Sequence, residues 1–210
     1  WLNEAYQNDP SRGSILCDIS QTAQELGELD IARRALDDYI QRHHPSLEEQ
    51  LALEPKLLEL HFNHPGGDTP RMLAYFEFLA KQSVQSRDCL IILAKAHAKA
   101  GDPNAAAEIL LRVIDYPFKS EDLDLWILLC DLYLDRLNEQ PKGEELLWEL
   151  FKSFPRNEYI FTRLDNLYRT PAERKIMVVN LQNAVSQSQA ISADATLIRN
   201  YLGYAAKILG

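Results

Sequence analysis

The sequence predicts an all-α chain built from antiparallel helix pairs, and three observations predict it. Five segments place a small or flexible residue, an apolar residue four later and another apolar residue three after that. These triplets are Ala32/Leu36/Tyr39, Met72/Phe76/Leu79, Ala106/Leu110/Val113, Gly143/Leu147/Leu150 and Met177/Leu181/Ala184, and they begin 40, 34, 37 and 34 residues apart. Spacing of i, i+4, i+7 is one face of a helix, and self-similarity at such a period marks a repeat architecture. Between the triplets, turn signals recur, and no run alternates apolar with polar residues as a half-buried strand would.

In chain order, the first eleven residues read as the tail of a second helix, because Ala5 stands 34 residues before Tyr39 and Pro10 closes the pattern. Residues 12–45 pair a first helix around "LCDISQTA" with the Ala32 triplet and end at Pro45. Residues 46–85 fit least well: Pro55 interrupts "LALEPKLLELHFN" and the turn "NHPGGDTP" is long, before the Met72 triplet restores the pattern. Residues 86–119 pair "LIILAKAH" with the Ala106 triplet and close at Pro117. In residues 120–156, Trp126, Leu129 and Tyr133 share the face of a first helix, followed by the Gly143 triplet and Pro155. Phe161, Leu164 and Tyr168 repeat that spacing in residues 157–190 ahead of the Met177 triplet. Each of these prolines stops a helix that it cannot continue. Residues 191–210 form a last amphipathic helix, "NYLGYAAKILG", with Gly210 as its cap. Starting and stopping inside repeats, the chain reads as a segment of a longer array, with ends that lack a polar capping face and could self-associate.

The motif W-x2-L-G-x2-Y, followed by A-x3-F and a closing proline, is met by Trp126, Leu129 and Tyr133, and more weakly by Leu147. Cys130 takes the glycine slot, and Leu202 and Gly203 take the Leu-Gly slots of the last helix. On these residues the chain resembles the tetratricopeptide repeat (TPR) family in degenerate form. The resemblance implies a right-handed α-α superhelix, an α-solenoid, whose first helices line a concave binding surface.

Composition narrows the function. Apolar residues make up 46% of the chain, enough for a folded core, yet no apolar run approaches the ~18 residues of a membrane span. The 31 acidic residues against 22 basic ones give a net charge of −9, which disfavours nucleic acid, since that recognition rests on neutralising phosphates. Cys17, Cys89 and Cys130 are widely spaced and odd in number, so neither a disulfide framework nor a zinc ribbon is expected. Free cysteines of this kind favour the reducing cytoplasm over the periplasm.

No catalytic, cofactor or metal site is predicted. His61 and His64 are three apart in "HFNH", but zinc needs three or four ligands, so a surface or turn role is expected of them. His97 fills a slot in which the repeat carries an aromatic residue, and the His43-His44 pair precedes Pro45 at a helix end, where cations are favoured. Carboxylate pairs such as Asp37-Asp38, Glu144-Glu145 and Asp131/Asp135 read as solvated faces rather than as acid and base. Phe161 and Tyr168, like Trp126 and Tyr133, are expected in the core, and Trp148 partly exposed. What remains is the surface of the first helices, whose polar positions would be Gln21, Gln24, Lys95, Lys99, Asp131, Asp135, Asn166, Arg169, Asn200 and Tyr204. They run from neutral to basic to acidic to polar-basic. Cys17/Gln21, Ile91/Lys95 and Ile127/Asp131 do not reproduce the Lys/Asn/Arg set with which family members clamp a chaperone's C-terminal carboxylates. The expected function is a non-catalytic scaffold binding a protein or extended peptide, with no nucleic acid and no membrane insertion. An alternative is the TPR arm of a larger enzyme or of an envelope or polysaccharide secretion machine.

Overall fold

The computed structural model describes residues 2–82, 86–188, 191 and 194–209. Among them the structure is helix and turn with no strand. The predicted Gly210 cap and Trp1 lie outside the described residues. Two compact units divide the chain, residues 1–113 and residues 114–210.

The first unit contains α1 (Leu2–Asn8), α2 (Ser14–Glu25), α3 (Leu29–His43), α4 (Leu47–Ala52), α5 (Glu54–Phe62), α6 (Thr69–Gln82), α7 (Arg87–Ala100) and α8 (Pro103–Val113). Pairing is closest for α2 with α3 and for α7 with α8, and α6 packs on α7. Pro10 and Pro45 each stand just past a helix end. Where the pattern falters, the single first helix is replaced by two short ones. Ser46 caps α4 reciprocally with Glu49, and Pro55 sits in the first turn of α5, where its missing N–H costs nothing.

His61 departs from its expected surface role: only 1% of it is exposed. Its Nδ1 accepts the Asp68 backbone N–H at 3.3 Å, so the proton resides on Nε2, which faces Asp37 Oδ1 at 3.1 Å. The physical reason lies in the long turn. It folds back over the end of α5 so closely that a Cβ on Gly67 would stand 2.3 Å from the His61 carbonyl oxygen. His97 is buried as expected, with Asp102 and Glu77 carboxylates at 3.6 and 4.0 Å.

The second unit contains α9 (Leu123–Asp135), α10 (Gln140–Ser153), α11 (Glu158–Leu167), α12 (Pro171–Gln187) and α13 (Ala195–Leu209). α9 pairs with α10, α10 also touches α11 and α12, and α12 packs on α13. Thr170 and Glu173 form a capping box at the start of α12. On α13, Tyr201 and Ala205 are buried, whereas Leu202 is 45% exposed.

In both units the triplets form the core. Ala32, Leu36, Ala106, Leu110, Leu150 and Met177 are fully buried, and Phe76, Leu147 and Leu181 nearly so; Tyr39 is half-buried. Turn chemistry repeats with them. Gly27, Gly101 and Asn138 each adopt the left-handed conformation between a first and a second helix, at φ 76°, 85° and 53°. Asn138 is thus the turn residue that replaces glycine in the fourth pair, a substitution that Asn tolerates.

Leu36→Ala and Leu147→Ala, one in each unit, should each lower stability by ~2–5 kcal/mol in urea denaturation, through lost transfer energy and a residual cavity. Asn138→Gly should leave stability unchanged or raise it, while Asn138→Val should lower it by ~1–2 kcal/mol.

Candidate protein-interaction face

The best-defined polar constellation joins α9 to α11. Asp131 and Asp135, four apart on α9, face Tyr159 and Arg163, four apart on α11. The Tyr159 hydroxyl donates to Asp131 Oδ2 at 2.6 Å, and Arg163 Nη2 lies 3.1 Å from Asp131 Oδ1 and 2.8 Å from Asp135 Oδ2. Both cross-helix pairs are separated by 28 residues, so the match follows from equal i, i+4 spacing on two successive first helices. The two aspartates therefore do not offer bare charge; one arginine spans them. Tyr159 and Arg163 were absent from the expected set, and the signal that would have found them is this repeated spacing.

Further along, Asp165 on α11 meets both Arg174 of α12 and the Tyr204 hydroxyl of α13, and Arg174 Nη1 donates to the same hydroxyl at 2.6 Å. Tyr204 is thereby half-buried and tied into a three-helix clasp rather than free on the surface. Asn166 is exposed. Arg169 stands beyond the end of α11, in the turn, where its Nε donates to the Asn166 carbonyl at 3.1 Å. Asn200 lines a cleft of about 430 Å³ with Arg156, Asn157, Thr162 and Tyr201.

In the first unit, Gln21 is exposed and donates to Glu25 one turn on, at 3.3 Å. Gln24 donates to Glu59, and Lys95 Nζ lies 3.4 Å from Glu54, so α2 and α7 both reach carboxylates of α5. Lys99 is exposed. Glu54 and Glu59 were also missing from the expected set, because the interrupted helix hid their register. Ion pairs this exposed are worth only ~0–1 kcal/mol each, so they orient the helices more than they hold the fold.

Among the described residues no three His, Cys, Asp or Glu side chains gather to hold a metal ion, and no helix is long and apolar enough to cross a membrane. Burial pushes the Cys130 thiol up to about 12, which leaves it without thiolate character near neutral pH.

Three phenols report on the packing. Burial, first of all, pushes Tyr75, Tyr159 and Tyr204 up to about 12; Asp131 adds to the effect at Tyr159, and Asp165 at Tyr204. The folded chain holds these protons more tightly than an unfolded tyrosine, which titrates at about 10. Their stabilising contribution is therefore complete below about pH 10 and is lost as pH rises through about 12. The melting temperature should fall across that window, in step with ultraviolet phenolate absorbance. Asp131→Asn should bring the Tyr159 titration to lower pH.

No family model and no curated protein matches the chain. Among solved structures, the chain is similar to the crystal structure of MamA protein, with a TM-score of 0.52 over 93% of this chain and 94% of that one. At 16% identity the likeness concerns the fold alone: a TPR-like, all-helical architecture of the α-solenoid type.

Proposed function

We propose that this chain is a non-catalytic scaffold that binds a protein partner, or an extended peptide, along the polar face of its first helices. The repeat divisions at 12–45, 46–85, 86–119, 120–156 and 157–190 belong to the same proposal, as do Gln21, Gln24, Lys95, Lys99, Asp131, Asp135, Asn166, Arg169, Asn200 and Tyr204 as its contact residues. The observation that carries it is the division of labour on the first helices. On α9 and α11 the apolar side, with Trp126, Leu129, Ile160 and Leu164, is buried in the core. The other side presents ordered polar groups, among them the Tyr159–Asp131–Arg163–Asp135 ladder, held in place by neighbouring helices. Such a surface is preorganised, which lowers the ordering cost of binding. Its charges set direction and on-rate, and apolar anchors on the partner would supply most of the affinity.

Photo-crosslinking residues placed at Asn166 and at Asn200, in the cells that make the protein, should each yield a discrete adduct with a partner. The same residues at Phe78 and Leu111, exposed on the second helices α6 and α8, should not. Adducts from Phe78 and Leu111 alone, or none from any position, would overturn the reading.

A further inference from the structure

A second polar cleft, of about 260 Å³, lies between the second helices α10 and α12, away from the face proposed above. Glu145, Trp148, Glu149 and Lys152 form one wall from α10, and Asn180, Asn183, Ala184 and Gln187 form the other from α12. Both sets follow helical spacing, so each wall is one face of its helix. The volume falls below the roughly 300–1,000 Å³ of sites for drug-sized ligands, and suits a single side chain.

Tyr168 sets the walls from beneath. Its hydroxyl donates to Glu144 and accepts from Trp148 Nε1 at 2.9 Å and from Asn180 Nδ2 at 3.2 Å. One donor and both lone pairs are then in use, so the hydroxyl is saturated. Two consequences follow for the cleft. The indole is pinned in one orientation, also edge-on to Phe151 with ring centroids 5.7 Å apart. Asn180, with its nitrogen committed to Tyr168, keeps its carbonyl oxygen as an available acceptor.

Charge completes the picture. Glu149 is already paired with Lys152, but Glu145 is exposed and has no ion pair among the described residues. The cleft thus offers a carboxylate, an amide oxygen and the π-system of an indole. Lys152, the cation that lines the cleft, is engaged by Glu149, so this set still suits a donor-only, planar cation. Guanidinium is that group: five N–H donors in a fixed fork, no acceptor, and a flat face that stacks on aromatic rings.

We propose that the α10–α12 cleft binds an arginine side chain of a protein partner, with the guanidinium against Trp148 and its N–H groups directed to Glu145 and the Asn180 oxygen. This is a second contact surface, independent of the first-helix face.

The probe is a capped Gly-Arg-Gly peptide titrated into the whole chain, with the citrulline peptide as its uncharged isostere. Binding is followed on the Trp148 indole N–H resonance, assigned by its absence from Trp148→Phe. The arginine peptide should shift that resonance saturably, and less strongly as salt is added. Citrulline should bind about fivefold more weakly, as should the arginine peptide to Glu145→Gln, a loss of ~1 kcal/mol in each case. Lys152→Met, which removes a competing ammonium, should tighten binding. The proposal fails if no saturable shift appears, if citrulline matches arginine, if Glu145→Gln binds as well as the parent, or if only a neutral oligosaccharide moves the resonance.

Discussion

The close approach of α3 to α2, α8 to α7 and α10 to α9 is the constraint on which the rest of the structure depends. It is set by the small residues Ala32, Ala106 and Gly143 that start the triplets of α3, α8 and α10. Ala32 and Ala106 are completely buried, and a Cβ on Gly143 would stand 2.7 Å from the Leu134 side chain and 3.2 Å from the Tyr133 Cβ. With so little between the backbones, the larger residues four and seven positions on, such as Leu110 with Val113 and Leu147 with Leu150, close over the same seam. Interiors packed this way leave little room for adjustment. The turn must therefore return the chain at a fixed angle, and left-handed Gly27, Gly101 and Asn138 supply that geometry.

Once the seam is fixed, the polar surface is fixed with it. Equal registers on α9 and α11 align Asp131 with Tyr159 and Asp135 with Arg163, so a ladder forms without dedicated loops. The Tyr168 hydroxyl does the same work on the other side of the second unit, joining α10 and α12 through Trp148, Glu144 and Asn180. Tyr168 is a core residue by its ring, which is 4% exposed, and a surface organiser by its hydroxyl. Aromatic residues with a polar tip often carry both functions.

Much of the fold was legible in the sequence because apolar periodicity and proline placement are local signals. Leu36, Phe76, Leu110, Leu147 and Leu181 are buried where their spacing put them. The polar sites were harder to read, since a side chain's partner lies on another helix. Asp131 and Asp135 are chemically plain in the sequence, but their pairing with Arg163 depends on register between helices 28 residues apart. Tyr204 looked like a free surface group and is instead held by Asp165 and Arg174. His61 is hidden for a different reason: nothing local reveals that the turn at 63–68 folds back over it and buries its ring. Asn138 could have been read as a turn residue, because it stands 37 positions after Gly101 and Asn accepts the left-handed conformation.

Native-state hydrogen exchange tests the central claim most directly, because it reads the seam helix by helix. If the seam holds each unit together, amides around Ala32–Leu36, Ala106–Leu110 and Leu147–Leu150 will be the slowest to exchange in their unit. The turns at 63–68 and 114–119 will exchange far sooner. Exchange at the seam positions as fast as in those turns would contradict the account.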